Sequence, residues 1–283
     1  MSVSAATIME FQIPASRQTV TARDAILYAL SVGYGAKPLD PAHLRFVYEE
    51  GLVATPTLAN VVTHAGPWMK ETGVDWCRLV HAEHRVTIHR PIPLDVALIS
   101  HSRSLSIVDR GPEKGMFATF ERTVSIEETG ESVASVIQTN ACRGDGGCGS
   151  SGTPPQPLPV IPARDPDAVM QIAISEDAAL LYRLNGDINP LHIDPIAAEK
   201  GGFRRPILHG LCTFGYAGYA LTRMATGTGL ADLTEIAGRF SAPVFPGEAL
   251  EFQMWREDDA LHFRAVAPER GVTVLDNGLA RVA

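Results

Sequence analysis

The chain has 283 residues, of which 45% are hydrophobic, and it carries a formal net charge of -8 at pH 7 with a pI near 5.6. This length and apolar content allow one large or two ordinary folded domains and exclude disorder as the main state. The acidic balance argues against nucleic acid or an anionic membrane surface as the principal partner, because phosphate groups are bound by a positive field.

The cysteines and the hydropathy pattern bear on the compartment. The four cysteines form no CxxC pair of the zinc or redox kind, and free thiols in a reducing cytoplasm fit this usage best. No stretch approaches the ~20 apolar residues of a membrane span, and the N-terminus lacks the pattern of a signal peptide. We therefore expect a cytoplasmic protein with no membrane partner and no bound metal.

A segment rich in glycine and proline, residues 143–162, divides the chain. It contains the run GDGGCGSSGTPPQPLPVIP, in which glycines do not hold regular structure and prolines cannot donate ladder hydrogen bonds. The sequence therefore predicts a first domain over residues 1–142, a linker, and a second domain over residues 163–283, each domain of ordinary size.

The two halves resemble diverged copies of one unit. Three pairs of segments recur in the same order. In the first pair, YAL from Tyr28 with DP from Asp40 matches YRL from Tyr182 with DP from Asp194. The second pair is TPTL (from Thr55) and RPIL (from Arg205), and the third is RPIPLD (from Arg90) and APVFPGE (from Ala242). Three matches in one order are hard to obtain by chance, whereas a single dipeptide would mean little.

Within each copy the pattern predicts a short helix, a loop, a longer apolar helix and then antiparallel strands. In the second half the first helix is predicted over residues 176–184, with Ser175 as its N-cap and Gly186 beyond its end. The second is predicted over residues 211–224, and strands over 250–257, 261–267 and 272–274. The expected architecture is a sheet wrapped around a helix, twice over.

The loop of the second copy carries a carboxylate, an amide and an imidazole: Asp187, Asn189 and His192. Together these groups can hold and polarise one water molecule. The aligned positions of the first copy are Gly33, Gly35 and Pro38, which have no acid or base function. Taken singly, an aspartate that caps a turn or a histidine in the core would be the ordinary interpretation. The loss of all three from the first copy favours a single active site per pair of domains.

These residues belong to two long motifs, YRLNGDINPLHIDP from Tyr182 and GGFRRPILHGLCTFGYAG from Gly201. The motifs resemble the hydratase 2 family of (R)-specific enoyl-CoA hydratases and MaoC-like dehydratases, and the resemblance extends to YALSVGYG, LVHAEHRV and SAPVFPGEAL elsewhere. It implies an α+β double hot-dog fold in which each half wraps a sheet around a long central helix and only the second half is catalytic.

The resemblance also implies the roles of the residues. Asp187 and His192 would bind the water that adds across a trans-2-enoyl thioester, Asn189 would orient them, and the backbone N–H of Gly210 would hold the thioester oxygen. The first half would make room for the acyl chain, and no cofactor would be needed besides the coenzyme A of the substrate. The sequence does not assign the two proton transfers between Asp187 and His192, nor the length of the acyl chain.

Several basic and polar residues near the motifs are candidates for binding the acyl-CoA substrate. The basic candidates are Arg183, Lys200, Arg204 and Arg205. Arginines suit the phosphates of coenzyme A. The alternative, that these residues only form an ordinary solvated loop, fits the sequence equally well. His81 is a further candidate for binding the substrate, although His81, Glu83 and Arg85 alternate along a predicted strand, which by itself explains them better than a role in the site. For His209 the two alternatives are a catalytic role and a structural hydrogen bond that holds the amide of Gly210, and its place beside Gly210 favours the structural one.

Two other functions are compatible with this sequence. A hot-dog thioesterase would hydrolyse the thioester instead of hydrating the alkene. A non-catalytic acyl-CoA-binding subunit would leave the chemistry to a partner, although the intact set of Asp187, Asn189, His192 and Gly210 argues against it. A homodimer is expected from the resemblance.

Overall fold

The computed structural model describes residues 3–227, 230 and 232–283. Its helices are α1 (Ala5–Glu10), α2 (Ala22–Ser31), α3 (Pro41–Leu44), α4 (Ala178–Tyr182), α5 (Pro195–Lys200) and α6 (Gly210–Thr226). Its strands are β1 (Ser16–Thr19), β2 (Leu79–Ile88), β3 (Ala97–Asp109), β4 (Met116–Ile126), β5 (Ser132–Cys142), β6 (Ser151–Gly152), β7 (Ala168–Ala173), β8 (Leu233–Phe240), β9 (Ala249–Glu257), β10 (Ala260–Ala267) and β11 (Val272–Val282).

The described strands form one antiparallel sheet that runs through both halves of the chain. Its order is β1-β3-β4-β5-β2-β8-β11-β10-β9-β7, and β6 pairs with β3. The halves join where β2 pairs with β8, from Glu83 opposite Arg239 to Thr87 opposite Glu235. Backbone hydrogen bonds therefore connect the two halves directly, and the edge strands of each half are not left open at this junction.

Helix α6 lies in the core and is covered by both halves. Its 17 residues contain no proline, and eleven consecutive residues, from Cys212 to Thr222, are buried. Two glycines allow side chains of the first half to approach closely: a Cβ at Gly215 would lie 2.5 Å from Val32 Cγ1, and one at Gly218 would lie 2.7 Å from Thr57 Cγ2. Small residues thus fix how the first half packs on this helix. Among the described helices, none is long and apolar enough to cross a membrane.

The first half has no counterpart of α6, so the prediction of a long helix in each copy is wrong for that half. Residues 45–78, all of which the structure describes, contain only short 3-10 segments: Pro56–Asn60, Trp68–Thr72 and Trp76–Arg78. The pair Gly66-Pro67 follows soon after the β-branched run 61–63, and each feature disfavours a continuing helix. The wrapped helix is therefore supplied by the second half alone.

The repeat itself is visible in the way each half caps its helix after the loop. Asp40 accepts a hydrogen bond from the backbone N–H of Ala42, and Asp194 accepts one from Ile196. Each aspartate is followed by a proline at the first helical position, where the missing N–H costs nothing. The preceding helices also match, since Tyr28 at the end of α2 lies 6.0 Å from Tyr182 of α4, ring centre to ring centre.

The helix and strand boundaries in the second half follow the predictions with local differences. The helix predicted over residues 176–184 is α4 followed by a 3-10 turn, Arg183–Asn185, and its N-cap is Asp177 in place of Ser175. It ends at Gly186, where φ is +110°. Strand β11 continues to Val282, past the predicted end. Its pairing with β8 shifts register between Asp276 and Leu279, where Asn277 has a φ of +53°. This irregularity interrupts the alternation of side chains, so the pattern does not reveal the rest of the strand.

The segment between the halves is held against the sheet at several points. The carboxylate of Asp109 accepts the backbone N–H groups of Gly147 and Gly149 at 2.9 and 2.8 Å. Farther along, Asn277 donates to the carbonyl of Pro159 at 2.7 Å. The segment thus follows a defined path across the molecule, and backbone N–H and C=O groups in it form hydrogen bonds outside regular secondary structure.

Candidate active site

The loop after α4 is shaped by two successive side-chain to backbone hydrogen bonds. The Oδ1 atom of Asp187 accepts the N–H of Asn189 at 3.2 Å, and the Oδ1 of Asn189 accepts the N–H of Leu191 at 3.1 Å. Such turns are a standard use of aspartate and asparagine. Asn189 therefore orients Asp187 through its backbone amide, while its side chain caps the 3-10 turn Pro190–His192.

His192 follows in that turn, and one hydrogen bond fixes its tautomer. Its Nδ1 lies 2.8 Å from the carbonyl oxygen of Ile207, and since a carbonyl only accepts, Nδ1 carries the proton. The Nε2 atom is left with a lone pair. The residue is only 9% exposed, and this burial lowers its pKa, an effect that the contacts with Ile207 and Asp187 partly oppose. At neutral pH the ring is a neutral base.

His209 connects the loop to the start of α6. Its Nε2 donates to the backbone carbonyl of Asp187 at 3.1 Å, and its ring stacks on His192 with ring centres 3.8 Å apart and planes 28° from parallel. Burial lowers the pKa of His209 to about 4. The expectation that His209 holds the amide of Gly210 is wrong, because the bonded nitrogen faces Asp187, and Nδ1 is buried with no partner among the described residues.

Gly210 is the first residue of α6, with His209 as the N-cap. The first amides of a helix have no acceptor within the helix, and the helix dipole adds positive potential there. Glycine also leaves space, since a Cβ at this position would lie 3.2 Å from the ring of Phe240. This helix terminus therefore offers a backbone donor beside the Asp187 loop.

A bulge in β2 decides which side chains face the site. The register of β2 with β5 shifts between His81 and Glu83, so the alternation predicted for His81, Glu83 and Arg85 is interrupted. The His81 ring packs against His84 and Phe240 at 5.0 and 4.8 Å between centres. Burial lowers the pKa of His81 to about 4, and the Asp187 carboxylate partly opposes that shift. His81 thus lies on the side of the active site.

The other two residues of that strand face outward. Glu83 accepts a hydrogen bond from Arg239 Nε at 2.9 Å across the junction of the two halves, and Arg85 donates to the carbonyl of Gln156. All three residues lie in β2, as the strand interpretation predicts, but the ring of His81 packs against His84 and Phe240 while Glu83 and Arg85 make their contacts elsewhere.

Two of the four basic residues predicted to bind coenzyme A lie near one aromatic ring. The guanidinium groups of Arg204 and Arg205 stand 5.0 and 4.9 Å from the centre of Phe245. Arg205 and His192 also line one cavity of about 360 Å³. Lys200 is the exposed last residue of α5, and the Nε of Arg183 is buried without a hydrogen-bond partner among the described residues.

A second cavity of about 200 Å³ lies on the other side of the loop. From the first half its lining is mainly apolar and includes Leu27, Leu58 and Val61. From the second half it is lined by residues 184–186, which immediately precede Asp187. The two cavities therefore flank the segment that carries the Asp187–His192 pair.

Comparison with known proteins supports this description. Residues 159–277 match the family model described as MaoC like domain, and residues 18–144 match the MFE-2 hydratase 2 N-terminal domain. The chain is 37% identical to 3-hydroxyacyl-thioester dehydratase Y of Mycobacterium tuberculosis, over 91% of each protein. It is 33% identical to a probable enoyl-CoA hydratase 2 of Dictyostelium discoideum, over 99% of this chain and 97% of that protein.

The chain belongs to the MaoC-like hydratase 2 family. Among solved structures it is similar to a MaoC-like dehydratase from Phytophthora capsici, with a TM-score of 0.87 and 31% identity over 98% of both chains. The predicted family and the double hot-dog fold are thereby confirmed. The gap between the two matched hydratase 2 regions, residues 145–158, lies inside the segment predicted as a linker.

In this hydratase 2 chain, one carboxylate and two imidazoles lie close together, and these are side chains that also bind metal ions. Ligand-type atoms of Asp187, His192 and His209 lie within 4.8 Å of one another. Each imidazole donates one ring nitrogen to a backbone carbonyl and keeps a lone pair on the other nitrogen. A carboxylate and two neutral imidazoles can hold a water molecule as well as a metal ion.

Proposed function

We propose that this chain catalyses the reversible syn hydration of trans-2-enoyl-CoA to (R)-3-hydroxyacyl-CoA. The observation that carries the proposal is the convergence of the Asp187 carboxylate and the His192 imidazole, whose ligand-type atoms lie within 4.8 Å, beside the start of α6. The relatives named enoyl-CoA hydratase 2 and 3-hydroxyacyl-thioester dehydratase add support.

The proposed step uses one water molecule held between Asp187 and His192. Because His192 Nδ1 donates to Ile207, the free Nε2 is suited to accept a proton from that water as its oxygen attacks C3 of the substrate. The proton that Nε2 has taken from the water is then returned to C2 on the same face, so that one water supplies both the hydroxyl at C3 and the hydrogen at C2.

The negative charge that develops on the thioester oxygen is proposed to be held by the N–H of Gly210. The support is its position at the N-terminus of α6, where a donor is fixed before the reaction begins. One such donor is typically worth about 10²- to 10³-fold in rate. Asn189 contributes by holding the Asp187 loop, as its backbone amide bonds that carboxylate.

The two halves are proposed to divide the binding of substrate, with domains over residues 1–142 and 163–283 joined by the linker 143–162. The cavity to which the first half contributes Leu27, Leu58 and Val61 suits an acyl chain. The coenzyme A phosphates are assigned to the basic group formed by Arg183, Lys200, Arg204 and Arg205. His81, beside Phe240, is assigned to the substrate side of the same cleft.

The cellular setting is part of the same proposal. All four cysteines are free thiols, which fits a reducing compartment such as the cytoplasm. A homodimer is also proposed, and light scattering on the eluting protein would measure its mass directly.

The test is to incubate the purified protein with trans-2-enoyl-CoAs of several chain lengths and to analyse the 3-hydroxy products on a chiral column. We expect exclusively (R) product and an intact thioester. The D187N variant should lose about 10²- to 10⁴-fold in kcat, the typical worth of an acid or base group. The matched control is D165N, because Asp165 is exposed and remote in sequence from the site.

Three results would overturn the proposal. Formation of (S) product or the absence of hydration at every chain length would remove the assigned reaction. Release of free thiol without hydration would identify a thioesterase instead. Unchanged hydration by D187N in the native assembly would point to a binding subunit whose partner does the chemistry.

A further inference from the structure

The segment of residues 61–67 in the first half has an unusual backbone. Thr63 has a φ of +52°, a region that β-branched residues rarely enter because of steric clash. Such strain persists only where the surroundings hold it, and it is frequent at functional sites. The segment replaces the beginning of the helix that the first half lacks, and it exposes the next residue, His64.

Three side chains from separate strands and loops hold this backbone in place. Gln18 Oε1 accepts the N–H of Thr63 at 2.8 Å, and Ser100 Oγ donates to the Thr63 carbonyl at 2.7 Å. The buried guanidinium of Arg122 donates to the carbonyls of Val62 and, at 2.8 Å, of Ala59. So many hydrogen bonds to one short loop keep the His64 backbone in a single position.

Residues close to His64 share a cavity with the second half. Gln18 and Val61 line the same 200 Å³ cavity as Gly186, the residue before Asp187. The His64 side chain is exposed to solvent, yet enough protein surrounds it that burial lowers its pKa to about 4, with Arg122 acting in the same direction and Asp187 opposing it. This combination is typical of a residue that lines a cleft.

The hydrogen bonding of the ring defines what His64 can offer. Its Nδ1 accepts the N–H of Gly66 at 3.0 Å, so the neutral ring carries its proton on Nε2. The charged or titratable groups close enough to act on it are Arg122, His81 and His84 from the first half and Asp187 from the second. Asp187 alone among them is an anion that can accept a hydrogen bond from Nε2.

We infer that His64 is a positioning residue of the active site, supplied by the half that lacks the Asp–Asn–His set. In the working site its Nε2–H would donate a hydrogen bond across the cleft to the Asp187 carboxylate, a bond that the described side chains do not form in this structure, and would hold that carboxylate toward the water shared with His192. The inference rests on the proposed hydratase function. It makes the active site composite, so the first half contributes a functional group as well as room for the acyl chain.

The experiment compares H64A, H64Q and H64N in the full chain, with kcat and KM measured on one enoyl-CoA. The amide nitrogen of glutamine reaches the place of Nε2, whereas that of asparagine reaches only the place of Nδ1. We expect H64A and H64N to lower kcat by about 10- to 100-fold, the worth of one hydrogen bond to a charged group, with KM nearly unchanged. H64Q should recover most of kcat.

The control is H101A, which removes another exposed histidine of the first half and should leave both constants unchanged. Wild-type kcat in H64A, an effect on KM alone, or equal kcat in H64Q and H64N would overturn the inference. A failure of the hydratase function itself is seen separately, since the wild-type protein would then form no (R)-3-hydroxy product.

Discussion

At the scale of single residues, the site works through imidazoles whose hydrogen bonds fix their protons. His192 donates from Nδ1 to Ile207, and His209 donates from Nε2 to the carbonyl of Asp187. Burial keeps both rings neutral by lowering their pKa values. Each ring therefore has a defined donor face and a defined lone pair, which a solvent-exposed histidine would not have.

The role of His209 can be divided between its hydrogen bond and its ring. H209Q keeps a donor near the Nε2 position but loses the stack on His192, whereas H209F keeps a ring but loses the donor. We expect H209F to lower kcat by about 2- to 10-fold, the range of one neutral hydrogen bond. H209Q should retain kcat better and should lower the free energy of unfolding by about 1 kcal/mol through the lost aromatic contact. Identical losses of kcat in both variants would contradict a tether to Asp187.

The arginines beside Phe245 are expected to act on the phosphates of coenzyme A and not on the chemistry. A double variant, R204A with R205A, should raise KM for an enoyl-CoA about 10-fold or more with little change in kcat, because each lost charge-assisted contact weakens binding. The matched measurement uses the N-acetylcysteamine thioester of the same acid, which has no phosphates, and its KM should not change. An equal rise in KM for both thioesters would disprove the assignment.

At the scale of secondary structure, α6 determines how the halves fit together. Its glycines accept Val32 and Thr57 from the first half, and its N-terminus carries Gly210 into the site. A helix with larger residues at these positions would push α2 away and would move the active-site loop with it.

Replacement of Gly215 by alanine tests this packing. The new Cβ would lie 2.5 Å from Val32 Cγ1 and 2.9 Å from Val32 Cβ, so the backbone of α2 or α6 must shift. Overpacking costs about 1–3 kcal/mol, which exceeds the gain in helix propensity of about 1 kcal/mol. We expect a lower urea midpoint for G215A.

In the control G238A the nearest atom to the new Cβ is Phe263 Cζ at 3.6 Å, and the free energy of unfolding should change by no more than about 0.5 kcal/mol. Equal stability of the two variants would contradict close packing at Gly215.

At the scale of the whole molecule, the continuous sheet and the shared helix surround several histidines from both halves with protein. The pKa of each is lowered from 6.5, with burial as the largest cause, at the positions His43, His64, His81, His84, His192 and His209. These imidazoles are therefore neutral at neutral pH, and the charged groups that act on them include Asp187, Arg122 and Arg183.

This burial makes stability depend on pH in a definite direction. Because the folded-state pKa values of these histidines lie below the unfolded value of about 6.5, the unfolded chain binds more protons in acid. The contribution of these neutral histidines to the free energy of unfolding is fully present above pH 6.5. It is lost as the pH falls from 6.5 toward 4, the approximate pKa of His64, His81 and His209 in the folded protein. We expect a lower urea midpoint at pH 5 than at pH 7.5, with a similar slope.

The variant H84Q provides the control for this effect. Glutamine does not titrate and can still donate to Asn60, which His84 contacts at 3.1 Å, so the acid-induced fall of the midpoint should be smaller. H101Q, at an exposed position, should behave like the wild type. A midpoint that stays constant or rises in acid would show that the histidines are not buried as described.

The sequence by itself determined the features that depend on neighbours along the chain. The repeat, the aspartate caps at Asp40 and Asp194, the stop at Gly186 and the family motif all follow from residue types within a few positions of one another. Caps and turns depend on hydrogen bonds between residues that are close in the chain, so the sequence is enough to predict them.

Only the tertiary structure decided the features whose partners are distant in the chain. The bulge that turns His81 inward depends on β5, the hydrogen bond of His209 depends on a loop 22 residues earlier, and the place of His64 depends on Gln18, Ser100 and Arg122. The pattern also predicted a second long helix, which Gly66 and Pro67 do not allow. Strand register, ring stacking and loop strain are fixed by contacts between separate segments, and no short window of sequence contains both partners.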